Sequence, residues 1–195
     1  MPDARKIKII LISQPTLEGA GVHLNRVFGY NEAPTFDPFL MLDDFRSDTP
    51  EHYLKGFPDV QVQNGVRIKI IAGNINGAEG PMDDVVIDPE FLDCTVPAGQ
   101  SFTHKVDPSY TAFIYVIGGK GTTDNKAIEN GNLVLFESGD HLSVNASDKP
   151  LRFLLLTGKP LKEPVAWRGP IVMNTQEELT IAFQEYQDGT FIKTK

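Results

Sequence analysis

The spacing of paired glycine and asparagine residues most constrains what this chain can fold into. These pairs supply the positive φ angles that tight hairpins require, and they are Asn64-Gly65, Asn76-Gly77, Gly118-Gly119 and Asn130-Gly131. Between them lie short apolar or alternating segments of strand length. Many short strands joined by tight turns predict an all-β sandwich or barrel. The expected strands are 7–12, 22–28, 66–70, 84–87, 92–96, 112–117, 133–136, 142–144 and 151–156.

Only the C-terminal part of the sequence has a helical pattern. Thr175 and Glu178 have the spacing of a capping box, in which each side chain covers an exposed amide of the first turn. Gly189 is placed to end the helix. The apolar face that follows the cap consists of Leu179, Ala182, Phe183 and Tyr186. We therefore expect one amphipathic helix that packs on the β-barrel.

Charge and composition exclude several classes of protein. The net charge is −8 and there is no cluster of Lys and Arg, so we expect no direct binding to nucleic acid. No apolar run reaches the roughly 18 residues that a membrane span needs, so no membrane partner is expected. Cys94 is the single cysteine and sits in a strand-like segment, where we expect a packed thiol. Together with the lack of a signal peptide, this predicts a cytoplasmic protein.

Candidate metal ligands are few. The segment from Gly99 to Val106 resembles the first cupin motif, in which a glycine leads to His-x-His, then to Glu and Gly. His104 occupies the first ligand position, but Val106 stands at the second, and no Glu follows before Gly118. One imidazole cannot hold a catalytic metal, so we expect His104 to be structural or hydrogen-bonded.

The second cupin motif is also incomplete. Leu142 stands where the last histidine is expected, and His141 lies one residue before it. A slip of one residue on a strand turns the side chain to the opposite face. The adjacent pairs Asp43-Asp44 and Asp83-Asp84 cannot form a dyad for the same reason. We therefore assign no catalytic, cofactor-binding or metal residue, and His104 is the one residue at a ligand position.

Motifs at both ends of the chain resemble the pirin family. At the N-terminal end these are 19–22, 36–45 and the Gly-Phe-Pro-Asp of 56–59, and at the C-terminal end 153–165 and 169–175. The resemblance implies a bicupin, which is two jelly rolls face to face. In the family, Gly-Phe-Pro-Asp is followed at once by two of the histidines that bind a single iron in the N-terminal cupin. Here Val60 stands at the first of these positions.

The resemblance therefore implies a pirin that lacks most of its iron-binding N-terminal cupin and retains the C-terminal one. The expected fold is a cupin-type double-stranded jelly-roll barrel with an N-terminal β arm and one C-terminal helix. We expect residues 1–59 to form the arm, a remnant of the first cupin, and residues 60–195 to form the C-terminal cupin with its helix. Without ligands in this chain, no cofactor is expected, although iron is implied for the family.

Three functions stay open. The leading hypothesis is a non-catalytic structural or interaction module. The second, in case the printed chain is incomplete, is the family's iron-dependent quercetin 2,3-dioxygenase activity or its role as a transcriptional co-regulator. The third is a small-ligand binder that uses the barrel, since a closed jelly roll offers one cavity.

The loss of one barrel predicts that the retained barrel exposes an apolar surface that the missing barrel would cover. Monomers rarely leave an apolar patch beyond a few hundred Å² uncovered, so we expect a homodimer, with a protein partner as a further expectation. An arm that folds back over its own barrel is the alternative, because burial within one chain avoids the entropy cost of association.

Parity along the strands gives a first testable prediction. We expect eight side chains to point into the barrel, namely Ile68, Ile70, Phe113, Tyr115, Leu133, Leu135, Phe153 and Leu155. Replacing Phe153 with Ala should then lower the free energy of unfolding by about 3–5 kcal/mol, because a large core cavity is left behind. Urea denaturation measures this change, and a loss below about 0.5 kcal/mol, the range of surface substitutions, would show that the parity is reversed.

Overall fold

A computed structural model describes residues 3–18, 21–45 and 56–193. The first strands are β1 (Ile7–Ile12), β2 (Gln14–Glu18), β3 (Val22–Phe28), β4 (Leu42–Asp44), β5 (Asp59–Gln61), β6 (Arg67–Ala72), β7 (Asn74–Ile75), β8 (Ala78–Glu79) and β9 (Glu90–Val96). The others are β10 (Ser101–Lys105), β11 (Thr111–Gly118), β12 (Lys120–Thr123), β13 (Lys126–Glu129), β14 (Asn132–Phe136), β15 (His141–Ala146), β16 (Leu151–Gly158), β17 (Ala166–Arg168) and β18 (Ile171–Met173), followed by helix α1 (Gln176–Gln187).

The chain forms two compact units, Met1–Pro160 and Leu161–Lys195. The first unit contains a seven-stranded sheet of order β1-β14-β11-β16-β9-β6-β5 and a four-stranded sheet of order β10-β15-β12-β13. Strands β2, β3 and β4 form a small separate sheet, which we call the arm sheet. All named strand pairs of the described residues are antiparallel. The predicted all-β class is confirmed.

An apolar core fills the space between the seven-stranded and four-stranded sheets. Ile68, Ile70, Phe153 and Leu155 belong to this inner core and are almost completely buried, so the prediction for these four is confirmed. Cys94 lies in the same core, as predicted, and burial raises the pKa of its thiol well above the usual value. The side chains of the inner core are therefore almost completely removed from solvent.

The other four predicted core residues are buried on the opposite face. Phe113, Tyr115, Leu133 and Leu135 face away from the inner core and form a second cluster on the outer face of the seven-stranded sheet. The predicted orientation of these four was therefore wrong. Strands β11 and β14 are apolar on both faces, and a continuous apolar run carries no parity signal.

The arm covers this outer face within the same chain. Phe28 and Phe36 stack with their ring centroids 4.1 Å apart, and both rings meet Phe113 edge-on at 5.8 and 5.7 Å. Phe39 meets Phe113 edge-on at 5.1 Å. A Cβ on Gly158 would come within 3.1 Å of the Phe39 ring, so the close approach depends on this glycine. These residues of the predicted arm pack on the β-structure, whereas β1, which was also predicted in the arm, pairs with β14 in the seven-stranded sheet. The homodimer stays a prediction.

Polar contacts fix the arm and the N-terminal segment. The Tyr115 hydroxyl donates to Asp44 Oδ2 of β4 at 2.8 Å. Arg26 of β3 donates twice to Asp43, at 2.8 Å for each bond. Near the start of the chain, the buried Arg5 guanidinium donates to four backbone carbonyls, those of Asp107, Tyr110, Glu137 and Gly139. Two loops of the jelly roll are therefore tied to the N-terminal segment.

In the second unit, helix α1 packs on the β17–β18 hairpin. The predicted capping box is present, because Glu178 N donates to Thr175 Oγ1 and Thr175 N donates to Glu178 Oε2. Leu179 and Ala182 are buried against Ile171. Tyr186 is exposed, so its predicted place on the apolar face was wrong. The predicted packing of the helix on the barrel stays a prediction.

The predicted turns are present, whereas one of the predicted strands is absent. Each of the four predicted turns contains a glycine with positive φ, namely Gly65, Gly77, Gly119 and Gly131. Asn64 and Asn76 also have positive φ, whereas Gly118 does not. The predicted strand 84–87 is wrong: this segment is a loop, with Asp84 and Asp88 at positive φ and Val86 exposed.

The predicted division of the chain into an arm and a cupin at residue 59 stays a prediction. Among the described residues, no helix has the length and apolar character needed to cross a membrane.

The aromatic cluster under the arm gives a stability prediction. Phe36 is 1% exposed, so Phe36→Ala should lower the free energy of unfolding by about 3–5 kcal/mol through the cavity it leaves. Phe45 is 63% exposed, so the matched control Phe45→Ala should change it by less than about 0.5 kcal/mol. Urea denaturation of both variants measures this. Equal losses in the two variants would contradict a covering role for the arm.

Tyr115 should make the arm sensitive to alkaline pH. Burial, together with the adjacent Asp44 carboxylate, raises the pKa of Tyr115 to about 12. Unfolded tyrosine ionises near pH 10, so the folded state holds this proton more tightly. The stability is therefore present below about pH 10 and is lost as pH rises towards 12, by about 2–3 kcal/mol. Unfolding in urea at about pH 8 and pH 11 should show a smaller alkaline loss for Tyr115→Phe than for the unmodified chain, and equal losses would contradict the prediction.

Candidate functional site

A cleft opens between the edges of the two large sheets, beside β10. Its volume is about 570 Å³. The residues around it are mainly amides, hydroxyl side chains and apolar side chains, namely Val62, Gln63, Asn64, Ile68, Asn74, Ile75, Asn76, Ser101, Phe102, Thr103, His104 and Lys105. Lys105 and His104 are the only basic residues of this lining, and none of the described lining residues is acidic. The cleft is thus open to a small polar or aromatic molecule.

His104 lies at the inner side of this cleft. Side chains alternate along β10, so His104 shares the face of the buried residues Phe102 and Val106. Its Nε2 is 3.0 Å from Glu90 Oε2. The rings of Phe102 and His104 are nearly parallel, with centroids 5.8 Å apart. The expectation of a hydrogen-bonded histidine agrees with this geometry.

Glu90 and Thr157 complete the arrangement, and sequence reasoning missed both. They are opposite each other on β9 and β16. The Thr157 hydroxyl donates to Glu90 Oε2 at 3.3 Å, so this oxygen has two donors. The three residues come from separate strands and share no local motif. Only the pairing of β9 with β16 and the inward face of β10 bring them together, so no sequence signal could have found them.

The other predicted ligand positions contain apolar residues. Val106 and Leu142 are both buried in the inner core, and Leu142 is opposite His104 in the β10–β15 pair. His141 is outside that core, where its Nδ1 is 2.5 Å from Asp140 Oδ1. The hydrogen bond from His141 lowers the pKa of the Asp140 carboxyl. The predicted effect of the one-residue slip agrees with the positions of His141 and Leu142.

Other titratable residues do not converge on a site. Asp43 binds Arg26 whereas its neighbour Asp44 accepts from Tyr115, so the two carboxylates do not act as a dyad, as predicted. Asp83 and Asp84 are both exposed. His23 is exposed on the arm sheet, and His52 lies outside the described residues. Within residues 3–18, 21–45 and 56–193, no three His, Cys, Asp or Glu side chains could hold a metal ion.

Comparisons with known proteins match the C-terminal part of the chain in some cases and nearly all of it in others. A family model for the pirin C-terminal cupin domain matches residues 91–192. The chain is 28% identical to a pirin-like protein of Caulobacter vibrioides over 278 aligned residues, which span 98% of this chain and 100% of that protein. It is 39% identical to Pirin-1 of Arabidopsis thaliana over 132 residues, which span 65% of this chain and 46% of that protein.

A solved structure shows the same fold. The crystal structure of quercetin 2,3-dioxygenase from Acinetobacter baumannii matches with a TM-score of 0.83 at 19% identity, and it covers 96% of this chain and 98% of that chain. The predicted cupin-type jelly-roll class is therefore confirmed.

The Caulobacter alignment contains a large internal difference. It runs over 278 positions, whereas this chain has 195 residues, so at least 83 positions have no residue here. Since the alignment includes 98% of this chain, most of these positions lie inside the matched region rather than beyond its ends.

Proposed function

The chain belongs to the pirin family, and on this basis we propose that it is a pirin-type cupin without the family's iron site, acting as a non-catalytic structural or interaction module. The observation that carries this proposal is Val60, an apolar residue that packs against the inner core at the first histidine position of the family's iron-binding motif. The ligand positions of the retained cupin, Val106 and Leu142, also hold apolar side chains, which are 6% and 0% exposed. Neither side chain can donate an electron pair to a metal.

The remaining donors do not fit an iron ion. His104 is the one imidazole in the inner face of β10, and its Nε2 is already bound to Glu90. A typical protein metal site needs three or four converging ligands. Val60, at the first histidine position of the family's N-terminal motif, packs against the inner core and pairs with Ile68. Both sets of expected ligands are thus incomplete among the described residues.

The internal difference in length supports the same proposal. The positions that the longer relative has and this chain lacks agree with the loss of most of an N-terminal cupin. The solved structure from Acinetobacter baumannii shares its fold with 96% of this chain. The arm covers the outer face of the seven-stranded sheet, which gives the short form a complete core.

A second candidate function is dioxygenase activity. The solved protein from Acinetobacter baumannii, whose fold this chain shares, is named a quercetin 2,3-dioxygenase. This activity, and the co-regulator role that the resemblance implies for the family, would both require an iron site that the described residues do not supply. The third candidate, a ligand within the barrel, would have to use space beside the buried inner core, such as the cleft beside β10.

Assembly and location belong to the proposal as well. A homodimer would place exposed apolar residues of the arm sheet, such as Leu17 and Val22, against a second copy. A protein partner could use the same surface. We also propose a cytoplasmic location, no direct contact with nucleic acid and no membrane partner, on the basis of the charge, composition and single buried thiol.

Metal analysis tests the proposed function. The purified chain, incubated with ferrous iron and then desalted, should contain far less than one iron per chain and should not consume oxygen when quercetin is added. His104→Gln is the control, because iron held at the cleft would be lost in this variant. One iron per chain together with quercetin cleavage would contradict the proposal and support the second candidate.

A further inference from the structure

We propose that the free edge of β10 binds an extended peptide segment of a partner protein, which adds a strand to the four-stranded sheet and places an acidic side chain beside Lys105. This inference rests on the proposed interaction module and names the class of partner that such a module takes. The cleft beside β10 is the space that the added strand enters. The binding involves no metal ion and no chemical step.

The hydrogen-bond ladder between β10 and β15 determines which backbone groups point away from β15. Val106 N donates to the Asp140 carbonyl, and Ala146 N donates to the Gln100 carbonyl. In an antiparallel pair, hydrogen-bonded residue pairs alternate with pairs that are not hydrogen-bonded. Because both bonded pairs contain an even-numbered residue on the β10 side, the odd-numbered residues of β10 direct their N–H and C=O groups to the free edge.

The residues that face this edge are Ser101, Thr103 and Lys105. The Ser101 carbonyl accepts a hydrogen bond from Asn64 Nδ2 at 3.0 Å, which agrees with the assigned direction. Among the described residues, β15 is the one strand paired with β10, and the edge-facing backbone groups of Thr103 and Lys105 bond to no other residue. The edge therefore offers two donors and two acceptors, two residues apart, as a further antiparallel strand requires.

The cleft has the size of a short extended segment. Its volume of about 570 Å³ lies within the roughly 300–1,000 Å³ of small-ligand sites, so it admits a few residues of chain but no folded domain. Phe102 of β10 and Ile75 on the opposite side are both almost completely buried and form an apolar floor. Paired residues of neighbouring strands have their side chains on the same face. The residue that pairs with Phe102 therefore directs its side chain to this floor and should be apolar.

Charge favours an acidic side chain in the bound segment. Lys105 takes part in none of the ion pairs of the described residues, and none of the described residues that line the cleft is acidic. The Lys105 side chain is on the exposed face of β10. A residue that pairs with Lys105 has its side chain beside the ammonium group, and opposite charges at such positions stabilise a sheet.

A second copy of this chain fits the edge less well than a segment of another protein. A symmetric antiparallel pair of two β10 strands, centred on Thr103, sets Ser101 of each copy against Lys105 of the other. This pairing requires the Ser101 carbonyl, which Asn64 already engages. A foreign segment can pair with Thr103 and Lys105 alone, so it leaves the contact with Asn64 in place.

The probe is the acetylated and amidated peptide Glu-Val-Thr-Val-Thr. In the antiparallel orientation, its Glu pairs with Lys105, its central Thr with Thr103 and its second Val with Phe102. The isotopically labelled chain is titrated with this peptide and followed by two-dimensional nitrogen–proton NMR. The backbone amide signals of Thr103 and Lys105 should move, whereas the amide signal of Ala127 on the opposite edge strand of the sheet should stay in place.

A proline at the free edge tests the backbone pairing. Thr103→Pro removes an N–H group that points away from β15, and proline is tolerated at such positions of an edge strand. This variant should bind the peptide at least about tenfold more weakly, since one hydrogen bond is lost and a peptide carbonyl stays unpaired. The matched control is Ala127→Pro in β13. Glu129 N donates to Asn132 Oδ1 rather than to β12, so the N–H of Ala127 also points away from β12, and this control should bind like the unmodified chain.

A second pair of changes tests the charge. Replacing the Glu of the peptide with Gln should weaken its binding to the unmodified chain, and the two peptides should bind equally to Lys105→Met. Lys126→Met is the control, because Lys126 is on the opposite edge strand β13 and should preserve the difference between the peptides.

Several outcomes would overturn this inference. These are unmoved signals of β10 at millimolar peptide, equal affinity of Thr103→Pro and Ala127→Pro, and the same movement of these signals with acetate alone, which would indicate a small-anion site. Movement of the Thr103 and Lys105 signals on dilution of the chain alone would identify a second copy as the occupant. Should Thr103→Pro fail to fold, a peptide with an N-methylated central Thr replaces it, and equal binding of the methylated and unmethylated peptides would count against the pairing.

The outcome is separate from the test of the proposed function. The NMR sample is treated with a chelator, so peptide binding is measured without iron. Absence of binding in a chain that takes up no iron overturns only the peptide site. One iron per chain with quercetin cleavage contradicts the proposed function, whatever the peptide does.

Discussion

The contact between the arm and the outer face of the seven-stranded sheet is the constraint on which the rest of the fold depends. Strands β11 and β14 bury side chains on both faces, so the sheet needs two covers. The four-stranded sheet covers one face, and Phe28, Phe36 and Phe39 cover the other around Phe113. Monomers rarely leave an apolar patch beyond a few hundred Å² uncovered. The arm therefore supplies the second cover that this sheet needs.

The cleft exists because the edge strands of the two large sheets do not pair with each other. Strand β5 is the last strand of the seven-stranded sheet, and β10 is the last strand of the four-stranded sheet. The two edges do not pair with each other, and the cleft lies where they leave the inner core open, with Ile68 on one side and Phe102 on the other. An open edge of this kind exposes backbone groups. The Asn64 side chain donates to the Ser101 carbonyl at 3.0 Å and so joins the two edges at one point.

Features that depend on a few neighbouring residues, such as turns and helix caps, were predicted correctly from the sequence. Asn64-Gly65 and the Thr175 capping box need only a few neighbouring residues, and both were predicted. The orientation of Phe113 was not predictable, because its strand is apolar on both faces and the cover for its outer face lies far away in the chain. Alternation in 84–87 predicted a strand, but Asp84 and Asp88 have positive φ, which is incompatible with an extended strand, and the segment is a loop. Glu90 was missed because only strand pairing brings it to His104.

The composition of the inner core explains why apolar side chains suit the cupin ligand positions of this chain. A cluster of imidazoles and carboxylates without a metal would leave polar atoms buried and unpaired, at a cost of about 1–3 kcal/mol each. Val106 and Leu142 avoid that cost, and in the described residues no buried side-chain polar atom lacks a partner. His104 is tolerated beside them because its Nε2 pairs with Glu90, and Thr157 donates to the same carboxylate oxygen.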